Sequence, residues 1–117
     1  MFKEILKEAV KGLPGAVGAV FVDWEGESVD WFFPGSDYDI RLLGAHQGIL
    51  LNLVNEAVRS AGQGSVRAMI SCSTEAKVLV HPLKDGYFLV TLLERGANSG
   101  RAMQELRRTA KILAEEI

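Results

Sequence analysis

Few side chains in this sequence have the chemistry for catalysis or metal binding. Two histidines, His46 and His81, and one cysteine, Cys72, are its only nitrogen or sulfur metal ligands. They fall on three separate predicted elements, without the paired spacing that a zinc site uses, so no metal is expected. His81, next to Pro82, reads as an exposed strand end, and His46 as a surface or interface histidine. Cys72 stands beside Ser71, Ser73 and Thr74, but a nucleophile needs an oriented base and none follows from the spacing. Asp37 and Asp39 are paired carboxylates. They open a helix, where negative charge is favoured by the helix dipole alone. Gly12-Leu13-Pro14-Gly15-Ala16-Val17-Gly18 precedes a strand, not a helix, so it is not a dinucleotide fingerprint. No GxxxxGK[ST] occurs. No catalytic residue, no cofactor and no metal are therefore expected. Of the two tryptophans, Trp24 in a turn reads as a surface residue and Trp31 as packed under a helix.

The elements that would position a binding surface follow from periodicity. Residues 2–11 read as a helix, with Phe2, Ile5, Leu6, Ala9 and Val10 on one face. Gly12, Pro14 and Gly15 stop it. Ala16 to Val22 is an apolar run of the kind covered on both faces. Asp23-Trp24-Glu25-Gly26 reads as a hairpin turn, and Glu27 to Phe33 alternates as a half-exposed strand with Val29, Trp31 and Phe33 on one side. A long helix runs from Tyr38 to Ala61, capped by Ser36 or Asp37 and closed by Gly62 and Gly64. Ser65 to Cys72 alternates, with Val66, Ala68 and Ile70 opposing Arg67, Met69 and Ser71. Ala76 to Pro82 and Tyr87 to Leu93 are strands joined at Lys84-Asp85-Gly86. Gly100 to Glu116 is the last helix, with Met103, Leu106, Ala110, Leu113 and Ile117 buried.

The order is αββαβββα, an α/β (α+β) sandwich. The two strands apolar throughout belong in the middle of a sheet and the two alternating strands at its edges. Short hairpins make neighbours of strands one and two, and of four and five. The predicted sheet is five-stranded and antiparallel, of order 2-1-5-4-3. The long helix covers one face and the two terminal helices cover the other. At 117 residues the chain is expected to be one domain, residues 1–117.

The long helix carries more apolar surface than one core can use. At 100° per residue, Ile40, Leu43, Leu50, Leu51, Val54, Ala57, Val58 and Ala61 share a broad face that reads as the core face. Leu42, Ala45 or His46, Ile49 and Leu53 form a second stripe to one side. A second stripe of large side chains needs a second partner, and the simplest is another copy of the chain. The dimer interface is therefore expected at Leu42, His46, Ile49, Leu53, Arg67 and Met69. The remaining strip, with Arg41, Asn52, Asn55, Glu56 and Arg59 around Gly44 and Gly48, is expected to face a partner protein.

The bulk composition narrows the partners. Net charge is −2 with both signs interspersed, so nucleic acid is not expected. No apolar run is long enough to span a bilayer, and the charged start Met1-Phe2-Lys3-Glu4 is not a signal peptide. A lone cysteine fits a reducing cytoplasm.

Three passages give the whole chain a resemblance to the roadblock/dynein-light-chain domain family. The first is Gly12-Leu13-Pro14-Gly15-Ala16-Val17-Gly18-Ala19-Val20-Phe21-Val22-Asp23-Trp24-Glu25-Gly26, similar to the family's opening. The second is Leu79-Val80-His81-Pro82-Leu83-Lys84-Asp85-Gly86-Tyr87-Phe88-Leu89-Val90, similar to its penultimate hairpin. The third is Gly96-Ala97-Asn98-Ser99-Gly100-Arg101 followed by Glu105-Leu106-Arg107-Arg108. The resemblance implies a non-enzymatic module that dimerises through its third strand and its central helices. It also implies bacterial or archaeal relatives of the MglB type, which act with small Ras-like GTPases. The expected function is a homodimeric adaptor that binds and regulates such a GTPase, GTPase activation being one form of that regulation. The alternative is a structural scaffold or light-chain-type subunit without preference for a nucleotide state.

Overall fold

The computed structural model describes residues 1–117. Helix α1 spans Phe2–Gly12, strand β1 Ala16–Val22 and strand β2 Ser28–Phe32. The long helix α2 spans Asp37–Ser60. Strands β3 (Met69–Cys72), β4 (Ala76–Pro82) and β5 (Phe88–Glu94) follow, and α3 covers Ser99–Glu115. The five strands form one sheet of order β2-β1-β5-β4-β3, every neighbouring pair antiparallel. This is the α+β topology that the strand polarities predict.

The two central strands sort their side chains by parity, as a pleat must. Ala19 and Phe21 of β1, with Leu89 and Leu93 of β5, join Leu6, Val10, Leu106 and Leu113 of the terminal helices in one core. Val20 and Val22, with Phe88 and Val90, join Ile40 and Leu51 of α2 in the other. Burying each large side chain stabilises the fold by about 1.5–3 kcal/mol. Both long helices start on a side-chain cap: Ser36 Oγ accepts from the Asp39 N–H at 3.4 Å, and Asn98 Oδ1 from the Arg101 N–H at 3.1 Å. Such caps satisfy donors that the first helical turn leaves free.

Helix α2 is rotated from the orientation its apolar pattern predicts. Its buried residues are Ile40, Gly44, Gln47, Gly48 and Leu51. Leu50, Val54, Ala57 and Ala61, expected in the core, are exposed, and Leu43 and Val58 are half-buried. The cause is close approach. A Cβ at Gly44 would stand 3.0 Å from Val22 Cγ2, and one at Gly48 would stand 2.7 Å from Phe88 Cζ. The glycines bring the helix backbone down onto β1 and β5, which no leucine there would allow. The helix also covers less than a whole face. Its main contacts fall on β1, β2 and β5, and Val78 of β4 and Met69 of β3 remain half-buried.

The third strand is shorter than its alternation predicts. Ser65 to Ala68 is irregular, because the Val66 N–H donates to Asn55 Oδ1 of α2 at 2.9 Å instead of to a strand. Val66 and Met69, expected on opposite faces, consequently pack on the same α2-side core. Below Met69, which pairs with Val80, the edge of β4 has no strand beside it.

Gly48→Leu should force α2 off Phe88 and cost about 1–3 kcal/mol by overpacking. Gly12→Ala, where an added Cβ meets nothing within 4 Å, should stay within about 1 kcal/mol of the parent. Urea unfolding of the two variants checks this.

Candidate functional site

With Ile40, Gly44, Gly48 and Leu51 against the sheet, the other large side chains of α2 are left outside the core. Ile49 is 60% exposed and Leu53 59% exposed. Leu42 lies on the same side, half a helix circumference from Ile40, Gly44 and Leu51, and Tyr38 extends the ridge toward the helix N-terminus. Leu50 and Val54, on the flank facing the partly covered β3–β4 end of the sheet, are exposed as well. A helix with large residues on the side opposite its core cannot bury them within its own fold. Contiguous exposed apolar surface of this kind marks an interaction site. Gln47, buried on the core face of the helix, has an Oε1 with no hydrogen-bond partner.

The residues expected at a dimer interface are placed as follows. Leu42, His46, Ile49 and Leu53 are all exposed on one side of α2. Arg67 is exposed in the irregular segment before β3 and lines a groove together with Ile49. Met69 is half-buried against the α2-side core, so little of it is open.

The residues expected to face a partner are spread along the helix. Arg41 stacks its guanidinium over the Trp31 ring, 5.0 Å from the centroid. From the other side of the sheet Lys3 approaches the same ring at 5.2 Å, pairs with Asp30 at 3.0 Å, and donates to the Trp31 carbonyl. Trp31 is thus a strap between α1, β2 and α2. Asn52 and Arg59 line the same groove as Arg67, Glu56 is exposed, and the Asn55 amide is engaged with Val66. Arg41 and Arg59 lie about 27 Å apart along the axis at the 1.5 Å helical rise. Gly44 and Gly48, expected to leave this strip approachable, are buried under the sheet contact instead.

Other chemistry-bearing residues have local roles. Trp24 is exposed in its turn and meets Tyr87 edge-on at 5.4 Å. Cys72 is exposed on the edge strand β3, opposite Lys77. His81, expected to be an exposed strand end, is only 3% exposed. It sits within β4, paired with Leu89, on the face that α3 covers. Neither of its ring nitrogens has a hydrogen-bond partner of normal geometry. Burial holds its pKa below the ordinary 6.5; the Met103 backbone opposes this and the Arg107 charge adds to it. The sequence hides His81 because its burial depends on α3, which begins eighteen residues downstream at Ser99 and folds back over it.

The fold and the exposed ridge together define a roadblock-type architecture. The structure superposes on the roadblock/LC7 domain from Streptomyces avermitilis with a TM-score of 0.89, covering 97% of this chain and 95% of that one at 18% identity. The gliding protein MglB from Thermus thermophilus superposes with a TM-score of 0.84 over 96% of this chain and 84% of that one, at 16% identity. MglC from Myxococcus xanthus superposes with a TM-score of 0.67 over 97% of each chain, at 24% identity. No protein-family model and no curated protein matches the sequence. At these identities the chain shares the roadblock/LC7 fold. No helix is long and apolar enough to cross a membrane.

The pH dependence of stability carries the mark of His81. Its folded pKa lies below 6.5, so below that pH the unfolded chain takes up more protons and stability falls as pH drops. Melting at pH 7.5 and pH 5.5 should show a smaller acid-induced loss in His81→Phe than in the parent. A second expectation concerns Cys72. Cys72→Ser should melt and sediment as the parent does, because the thiol is exposed and the Lys77 amine opposite it is engaged with Ala97 and Ser99.

Proposed function

We propose that this chain is a roadblock-type adaptor, not an enzyme, that forms a homodimer and binds and regulates a small Ras-like GTPase in the cytoplasm. The observation that carries the reading is the outward apolar ridge of α2. Gly44 and Gly48 face the sheet, and Leu42, Ile49 and Leu53 face outward on a fold shared with MglB and MglC. The resemblance in the sequence implies the GTPase, since the MglB type works with one.

In this reading a second copy packs its α2 against the first, and the outer edge of the short strand β3 pairs with its counterpart. Leu42, His46, Ile49, Leu53, Arg67 and Met69 contribute to that contact. Full burial of Leu42, Ile49 and Leu53 contributes up to about 1.5–3 kcal/mol each. Arg41, Asn52, Asn55, Glu56 and Arg59 border the paired helices and dock the GTPase, which supplies the nucleotide site. Regulation requires that the docked surface have unequal affinity for the two nucleotide states, because a partner with equal affinity for both shifts nothing.

Two experiments test the reading. Sedimentation should find the parent chain dimeric at micromolar concentration and Leu53→Arg monomeric or aggregated. A monomeric parent contradicts it. The immobilised chain should capture a small GTPase preferentially from lysate loaded with either GDP or a GTP analogue, and Arg41→Glu with Arg59→Glu should weaken that capture without breaking the dimer. Equal capture in both nucleotide states favours the scaffold alternative, and an unaffected double variant places docking elsewhere.

A further inference from the structure

Where β3 stops at Met69, the sheet leaves an opening at the end of β4. A groove of about 830 Å³ occupies it, between the middle and last turns of α2, the Trp24–Gly26 turn, the Ser65–Ala68 segment, the β4–β5 end and the last turns of α3. That volume is in the range of sites for small organic molecules. Its lining is unlike the rest of the protein in charge. Arg59, Arg67, Arg107 and Lys111 all border it, and Glu25 is its one carboxylate. None of the four cations has a salt-bridge partner; the only ion pairs in the fold are Lys3–Asp30 and Glu105–Arg108. An acidic chain of net charge −2 therefore concentrates uncompensated positive charge in one concave place. Converging charge of one sign above low-dielectric walls attracts counter-ions of the other.

His81 lines the same groove and is the second, independent observation. It is more than nine-tenths buried; the Met103 backbone near one ring nitrogen lies outside normal hydrogen-bond geometry, and the other nitrogen has no partner. Leaving a buried polar group unpaired is costly, so such groups are normally satisfied. The ring is hemmed by α3, where Arg107 bears on it. Guanidinium groups match oxyanions through paired donors, and a neutral imidazole can donate one more hydrogen bond.

We propose that this groove binds a small polyvalent oxyanion, a phosphate ester or polycarboxylate, held by Arg107 and Lys111 from α3, by Arg67 and Arg59 from the opposite wall, and by His81 at its floor. The inference stands on the groove and does not rest on the GTPase reading. Its test involves no GTPase, so the two fail separately.

The test is a titration of the ¹⁵N-labelled full chain, followed by amide shifts, with pyrophosphate, adenosine monophosphate and citrate, and with adenosine as the uncharged control. At least one anion should bind with a Kd below about 1 mM, shifting residues around Arg59, Arg67, His81, Arg107 and Lys111 while adenosine does not. The phosphate and citrate arms separate the two ligand chemistries. The bound anion should also raise the pH at which the His81 ring titrates. Arg107→Gln with Lys111→Gln should weaken binding at least about tenfold, a loss of about 1.4 kcal/mol. Lys7→Gln with Lys11→Gln on the surface of α1 should leave it unchanged. Three results overturn the proposal: no binding by any of the three anions, shifts spread equally over α1 and the groove, or equal loss in both double variants.

Discussion

The contact between the backbone of α2 and the sheet governs the rest of this structure. Gly44 lies on Val20 and Val22, and Gly48 on Phe88, with no room for a side chain at Gly48 and little at Gly44. A glycine in a helix interior costs about 1 kcal/mol relative to alanine. That cost is offset by the close fit of the helix to two strands buried on both faces. Once the glycines fix the rotation, the helix has no freedom to turn its leucines inward. Ile49 and Leu53 must face away from the core. An ordinary amphipathic helix would leave a polar outer face; this one leaves an apolar ridge.

The opposite face of the sheet has the complementary design. Two helices, α1 and α3, cover it with a continuous core of twelve buried residues. That face is closed, and the α2 face is only partly closed because α2 lies over β1, β2 and β5. The asymmetry concentrates exposed apolar groups on one side of the molecule: the outer ridge of α2, its Leu50–Val54 flank, and the half-buried Val78 and Met69 beside it. Trp31 ties the two sides together at the β2 edge, with a cation from α1 and one from α2 against its ring. Each such pair contributes about 0.5–1 kcal/mol at exposed sites. The open end of β4 has a related origin, since the Asn55–Val66 hydrogen bond draws the chain onto α2 before it can lengthen β3.

Much of this was legible in the sequence. The unbroken apolar runs at 16–22 and 87–93 placed β1 and β5 in the middle, and the turn residues at 23–26 and 84–86 made their neighbours, which yields the observed strand order. Ser36 as the cap of α2 was also legible. The rotation of α2 was not. A hydrophobic pattern weighs side chains, and the residues that decide this orientation have none. The signal is two glycines four residues apart in mid-helix, which the apolar pattern assigns to the outer strip although they make the inner contact. The length of β3 was lost to a side chain eleven residues earlier, Asn55, competing for a backbone donor. The burial of His81 depends on cover from α3, and nothing in the spacing of Arg107 and Lys111 ties them to the end of β4.

In the proposed dimer, a second copy of this chain covers the outward face of α2. The direct measurement is an isotope-filtered NMR experiment on a sample mixed from two pools, one with ¹³C-labelled methyl groups and one unlabelled. The account predicts intermolecular contacts from the Ile49 and Leu53 methyl groups to protons of the unlabelled copy. A spectrum with no intermolecular contact from either residue, at a concentration where the chain is saturated in its associated form, would contradict it.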